Sequence, residues 1–174
     1  VECFASPDGS VATVVELNCE TDFVAKNDQF RTLLTDIGNA LLGAPGSQDG
    51  DGAAAGGVKL AGGKTVAEAV TAAIASIGEN VALRRFARFR TASGRIGSYV
   101  HAGGKIGVLV EVDGATDADQ ELVRSLAMQV AAAFPRYVRR DEVDPAELAR
   151  EREIFRGQAA GTGKPAQVIE KIVD

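Results

Sequence analysis

Apolar positions along the chain alternate between two periods. Val11-Ala12-Thr13-Val14-Val15-Glu16-Leu17 is rich in β-branched residues and reads as a strand. It follows Glu2 to Ala5 across Ser6-Pro7-Asp8-Gly9-Ser10, a dense turn signal, so the chain opens on a predicted hairpin. A turn centred near Asp8 places Cys3 opposite Ala12 or Thr13. The period then changes. Phe30, Leu33, Leu34, Ile37 and Leu41 fall at i, i+3, i+4, i+7 and i+11, one face of a helix. Thr21 or Asp22 is the expected cap, and Gly43 with Pro45 the expected stop. Thr65-Val66-Ala67-Glu68 is a capping box, and Val66, Val70, Ile74 and Ile77 predict the inner face of the next helix, ended by Gly78. Val81 to Arg90 reads as a strand in which Phe86 and Phe89 break strict alternation. Ile96 to His101 and Lys105 to Val112 form a second predicted hairpin around Ala102-Gly103-Gly104. Asp117 to Phe134 is helical in pattern, with Leu122, Leu126, Val130 and Phe134 in register and Pro135 beyond. Asp144-Pro145-Ala146-Glu147 opens another helix, Gly161-Thr162-Gly163 breaks it, and Pro165 begins a last one, which predicts a helical hairpin.

Between 43 and 63 the pattern lapses. Eight glycines and three consecutive alanines in that stretch predict a flexible loop inside the fold.

Two stretches echo each other at a constant offset. Val14-Val15-Glu16-Leu17-Asn18 leads to Thr21-Asp22 and a helix; Leu109-Val110-Glu111-Val112-Asp113 leads to Thr116-Asp117 and a helix. The expected fold is therefore α+β: two similar halves, each a small antiparallel sheet packed with helices, plus a C-terminal helical hairpin. The expected divisions are 1–94, with the glycine-rich loop 43–63, then 95–143, then 144–174. The two copies differ beside the acid. Phe23 and Val24 stand in the first where Ala118 and Asp119 stand in the second.

Composition narrows the function classes. Nineteen Lys and Arg against 24 Asp and Glu leave the 174-residue chain at −5, which argues against a general nucleic-acid coat. One histidine and two cysteines cannot supply a four-ligand structural zinc site or a disulfide scaffold, so Cys3 and Cys19 are expected as free thiols in a reducing cytoplasm. No apolar run approaches the ~18 residues of a membrane span, and no secretory leader is visible. A chain that starts at Val1 reads as a processed product or a fragment.

Three groups of residues offer chemistry. Gly62-Gly63-Lys64-Thr65 opens a helix as a phosphate loop does, but Val58 stands where the pattern needs its first glycine. His101 is the sole imidazole, and no nucleophile and acid are singled out around it. Arg84, Arg85, Arg88, Arg90 and Arg95 interleave with Phe86 and Phe89; such a strand can track phosphates and stack bases, or it can be a solvated face opposite two core rings. A fourth stretch, Thr21-Asp22-Phe23-Val24-Ala25-Lys26-Asn27, leaves two readings open. Phe23 lies seven before Phe30 and can join the core face, or it can project from a helix start beyond a strand.

Asn18-Cys19-Glu20-Thr21-Asp22-Phe23-Val24-Ala25-Lys26-Asn27 resembles the signature of the bacterial translation elongation factor Ts family. Ile77-Gly78-Glu79-Asn80-Val81-Ala82-Leu83-Arg84-Arg85, Gly97-Ser98-Tyr99-Val100-His101, Ile106-Gly107-Val108-Leu109-Val110, Ala127-Met128-Gln129-Val130-Ala131-Ala132 and Gly163-Lys164-Pro165 resemble further family blocks, in family order. The resemblance implies a non-enzymatic guanine nucleotide exchange factor that binds elongation factor Tu and speeds GDP release. It implies that Asp22 and Phe23 insert between two helices of the partner's nucleotide domain and disturb the magnesium site. Thr21, Val24, Ile77 and His101 become the accompanying partner-binding positions, with His101 near the partner's phosphate-binding loop. It implies no cofactor, no metal, no catalytic residue and no direct nucleotide binding by this chain. A homodimer or a 2:2 complex is left open. Against the family pattern the chain is truncated: it lacks the N-terminal helical module and stops inside the later one. The rival expectation is an RNA-binding module on the strand 84–90.

Overall fold

The computed structural model describes residues 1–45 and 49–160. The chain forms two compact units, Val1–Ala133 and Phe134–Asp174.

In the first unit, β1 (Glu2–Ala5) and β2 (Val11–Asn18) form the expected hairpin. Its register differs from expectation by one. Cys3 faces Val14 rather than Ala12 or Thr13, because the Ser6 amide donates to the Val11 carbonyl at 2.9 Å and centres the turn between Asp8 and Gly9. Asp8 organises that turn. One carboxylate oxygen accepts from the Ser6 hydroxyl, from the Ser10 amide at 3.1 Å and from the Ser10 hydroxyl at 2.8 Å. These donors, the Ser6 hydroxyl first, hold the Asp8 carboxyl down at about 2, against an ordinary 3.8. The charged form is the bound form, so the turn's contribution is complete above the ordinary carboxylate range and is lost as pH falls from there through about 2. A carbon-detected titration of Asp8 should show the low midpoint, and Ser6→Ala should raise it. A midpoint near 3.8 in the unaltered chain would mean that the turn does not bind the carboxylate.

β4 (Ala82–Arg90) pairs antiparallel with β2 along its length and with the short β3 (Asp49–Gly50) on its other side, and the sheet order is β1-β2-β4-β3. A bulge explains the broken alternation in this strand. Glu16 faces Arg85 and Leu17 faces Leu83, so Arg84 is the extra residue. The extra residue resets the parity, and Leu83 and Phe86 both enter the core.

The stretch expected to be a flexible loop is partly built. β3 (Asp49–Gly50) pairs with β4, and α3 (Gly52–Ala55) follows, with Ala55 fully buried. Asp51 caps α3 by accepting from the Ala53 and Ala54 amides, each at 3.0 Å. The small residues serve close packing here. A Cβ on Gly52 would come within 2.6 Å of the Leu83 carbonyl oxygen. Glycine-rich composition marks contact as well as freedom.

The single helix expected from Thr21 to Gly43 is two: α1 (Asp22–Ala25) and α2 (Asp28–Gly43). Asn27 separates them in extended conformation and caps α2 through its side chain. α2 buries the predicted residues Phe30, Leu33, Leu34, Ile37 and Leu41 against Val15, Leu17, Leu83 and Phe86. α4 (Val66–Ile77) has the predicted capping box and ends on left-handed Gly78. Its inner face differs from expectation. Val66 and Ala73 are buried, Val70 and Ile77 are half-buried, and Ile74 points outward.

The second half is a two-stranded sheet, β5 (Gly94–Val100) and β6 (Gly107–Asp113), with α5 (Gln120–Ala133) after a 3-10 turn at Asp117–Asp119. It lies against the face of the first sheet opposite α2: Gly107 approaches Val14, and the Cys3 thiol donates to the Val108 carbonyl at 3.8 Å. Burial there pushes the Cys3 thiol up to about 11, so it stays protonated at neutral pH. The predicted face of α5 is corrected. Val123 and Ala127 are buried, whereas Leu122 is 57% exposed, Leu126 is 38% exposed, Val130 is only half-buried, and Phe134 lies beyond the helix end. The reason is depth of approach. A Cβ on Gly97 would meet the Val123 carbonyl oxygen at 2.7 Å, so α5 sits close on β5 through Val123 and turns its leucines outward.

The α+β architecture with two similar strand-turn-helix halves is as expected. In the second unit, α6 (Pro145–Ala160) starts at the predicted proline, and Asp144 accepts from the Ala146 amide at 2.8 Å. Glu147 pairs with Arg136 and accepts from the Tyr137 hydroxyl at 2.7 Å. The expected last helix of the hairpin, from Pro165, lies outside the described residues. Among the described residues no helix is long and apolar enough to cross a membrane.

Candidate functional site

β2 runs to Asn18 and hands the chain directly to a single helical turn, α1. Thr21 is the cap, as one of two expected residues; its hydroxyl oxygen accepts from the Val24 amide at 3.3 Å. At the other end the Asn27 amide donates to the Val24 carbonyl at 2.9 Å, and the Asn27 side chain accepts from Gln29 at 2.8 Å. One turn of helix is too short to hold itself. Here both ends are tied.

That geometry settles Phe23. The break at Lys26 and Asn27 removes it from the seven-residue spacing to Phe30. The side chain is 88% exposed, whereas Val24 beside it packs on the core. An aromatic ring held in water on a fixed turn gives nothing to folding. Asp22 opens the same turn, exposed, where a carboxylate also suits the positive end of the helix.

Ile77 is the last residue of α4, half-buried, and α4 is joined to α2 by the Gln29 amide and Ser76 hydroxyl. His101 lies in the turn between β5 and β6, exposed, with Nδ1 3.0 Å from the Tyr99 hydroxyl. The Val1 ammonium donates to the Gly104 carbonyl at 2.6 Å, and Glu2 pairs with Val15. The His101 turn therefore sits at the end of the first sheet toward which β2 runs to reach Thr21. Both halves of the chain bring candidate residues to that end.

Two residues of the arginine strand, Phe86 and Arg88, are withdrawn from the expected basic and aromatic face, while Arg84, Arg85 and Arg90 stay exposed. Phe86, expected as a stacking ring, is 8% exposed and belongs to the core. Arg88 is 6% exposed and its Nε donates to the Leu42 carbonyl at 3.2 Å, closing the C-terminal end of α2. Arg85 pairs with Glu16 at 2.6 Å, which holds the Glu16 carboxyl below its ordinary range. Arg95 pairs with Asp117 across the second half.

Gly62-Gly63-Lys64-Thr65 is not a phosphate cradle. The Gly63 amide donates to the Leu60 carbonyl at 2.9 Å, and the Glu68 carboxylate takes the Thr65 amide at 2.8 Å. The Thr65 amide, and after it the Thr65 hydroxyl, hold the Glu68 carboxyl low, so an anion already fills the helix start.

Residues 20–174 match the family profile described as Elongation factor TS. The chain belongs to that family. Elongation factor Ts of Caulobacter vibrioides is 45% identical over 173 residues, which cover 95% of this chain and 54% of the relative. Elongation factor Ts of Magnetococcus marinus is 45% identical over 168 residues, with the same coverage of 95% and 54%. Elongation factor Ts of Clostridium kluyveri is 39% identical over 187 residues, covering 99% and 57%. The chain thus spans about half the length of the curated relatives it matches.

In this elongation factor Ts chain one residue at the site is absent from the sequence-based candidates. Glu79 follows the left-handed cap Gly78 and reaches back to Thr21. Its position just past a helix end carries no local signal for that role, because its partners lie 58 and 59 residues away.

Proposed function

We propose that this chain is the exchange-promoting part of a translation elongation factor: it binds elongation factor Tu and speeds GDP release by inserting Asp22 and Phe23 beside the magnesium and phosphate site. The observation that carries this reading is Phe23, 88% exposed on a turn tied at both ends, in a chain of the elongation factor Ts family. A preorganised aromatic enters a pocket without first giving up rotamer and backbone freedom, so more of its burial appears as binding energy. Asp22 adds a charge at the tip, which repels phosphate oxygens and competes for the cation that holds them.

The thermodynamics need no catalytic side chain. A factor that weakens GDP binding must bind the GDP-loaded partner less tightly by the same ratio. The ternary complex is therefore transient, and a nucleotide refilling the empty site ejects the factor. No bond is made or broken, so the chain works as a binding protein in the cytoplasm. Ile77 and His101 extend the contact from the same end of the sheets. Dissociation of a fluorescent GDP analogue from elongation factor Tu, chased with unlabelled GDP, is expected to accelerate on adding this chain. No acceleration at saturating chain would overturn the reading.

A further inference from the structure

We propose that Glu79 is the positioning residue of this site, holding Thr21 and through it the α1 turn that presents Asp22 and Phe23; the proposal rests on the reading of those two residues as partner-binding.

Among the described residues Thr21, Thr65 and Thr116 are caps of similar sequence setting, and they are satisfied in two ways. Thr65 is followed three residues later by Glu68, which accepts from the Thr65 amide at 2.8 Å and from its hydroxyl at 3.1 Å. Thr116 is followed by Asp119, which accepts from the Thr116 amide and hydroxyl, each at 2.8 Å. Both are local capping boxes. Thr21 is followed at that position by Val24, whose side chain has no acceptor. The carboxylate comes instead from Glu79, out of another helix end. It accepts from the Thr21 amide at 3.0 Å, from the Glu20 amide at 3.2 Å and from the Thr21 hydroxyl at 2.6 Å.

The exchange has a structural consequence. With the acid supplied from a distance, the third position of α1 is free for an apolar residue. Val24 takes it and packs on the core, which leaves Phe23, one residue earlier, facing water. A local acid at position 24 would cap the turn equally well but would not anchor it. The internally repeated copy shows the alternative: Asp119 in place of Val24, and Ala118 in place of Phe23.

Glu79 is itself held. Gly78 closes α4 with its amide on the Ile74 carbonyl at 2.9 Å, and α4 is anchored by buried Val66 and Ala73. The Thr21 hydroxyl works as a relay. Its hydrogen goes to Glu79, and this turns an oxygen lone pair toward the Val24 amide. Removing the carboxylate leaves two amides to water and the hydroxyl free to rotate. The clamp also joins the α1 turn to the end of α4 that carries Ile77, so the candidate contacts move as one piece.

The test compares Glu79→Ala, Glu79→Gln, Phe23→Ala and the Glu79→Ala/Phe23→Ala double variant in release of the fluorescent GDP analogue from elongation factor Tu. Glu79→Ala is expected to lower the acceleration about tenfold, the equivalent of one hydrogen bond to a charged group. Glu79→Gln keeps an accepting oxygen and should lose less. The double variant should fall below Phe23→Ala by a smaller factor than Glu79→Ala costs the unaltered chain, because only Asp22 is then left for Glu79 to position. A merely structural role would instead lower both backgrounds by the same factor, and that result overturns the proposal. Amide hydrogen exchange supplies a readout without the partner. The Glu20, Thr21 and Val24 amides should exchange faster in both Glu79 variants, with β2 and α2 unchanged. Should Glu79→Ala fail to fold, Glu79→Gln carries the same comparison. Full acceleration by the Glu79 variants while Phe23→Ala is impaired overturns the positioning role and leaves the exchange reading standing. Full acceleration by Phe23→Ala overturns both.

Discussion

Replacing Phe23 by alanine is expected to reduce the stimulated release of GDP from elongation factor Tu by about 30-fold, while the chain stays as stable as before. The two halves of that expectation have separate causes. The ring is 88% exposed in the free chain, so its removal costs the fold no burial. Exposed substitutions of this kind stay within about 0.5 kcal/mol, and alanine is the better helix former. On the proposed function the ring becomes a buried aromatic anchor in the complex, the type of residue whose truncation costs about 2 kcal/mol or more, which is roughly 30-fold in affinity. The measurement is the release rate at chain concentrations well below saturation, where lost affinity appears as lost rate. Thermal unfolding of the variant is followed in parallel. An unchanged rate would remove Phe23 from the site. A fall in both rate and stability would return it to the core.

Ile37→Ala should do the reverse. Ile37 is fully buried at the middle of α2, among the residues that pack this helix on the first sheet. Losing its methyl groups and leaving a cavity costs about 2–5 kcal/mol, a large share of what a domain of this size has to lose. The chain has no tryptophan, so urea unfolding is best followed by far-ultraviolet circular dichroism. The midpoint should fall with little change in slope. Exchange activity per folded molecule should survive, because α1 is held by Thr21, Asn27 and Glu79 and not by Ile37. A loss below about 1 kcal/mol would show that the site collapses around the smaller side chain. The pair of variants separates presentation from scaffold: one changes function without stability, the other stability without function.

Much of this was legible from residue order. The inner face of α2, the capping box at Thr65, the stop at Gly78, both hairpins and the strand-turn-helix repeat all follow from spacing and cap chemistry. Such signals act within a few residues, and a linear chain displays them directly. The motif around Thr21 and Phe23 was also visible, but its meaning was not. Spacing to Phe30 and position beyond a strand favoured opposite fates for the ring, and only the break at Asn27 separated them.

Three other features needed the packed molecule. α5 meets its sheet through valine, alanine and a facing glycine, and α4 buries a valine and an alanine beside α2 and α3, so the faces that look most apolar in sequence are turned partly outward. Hydrophobic periodicity finds a stripe but does not register how closely two backbones can approach. Arg88 and Phe86 look like a basic and aromatic surface until the bulge at Arg84 sets their parity toward the core. Glu79 meets Thr21 only because β4 returns beside β2 and brings the end of α4 to the start of α1. Sequence by itself determined most of the elements and their local caps. Tertiary structure decided which face each helix shows and which distant carboxylate completes a cap, because both depend on distances between segments that no local spacing encodes.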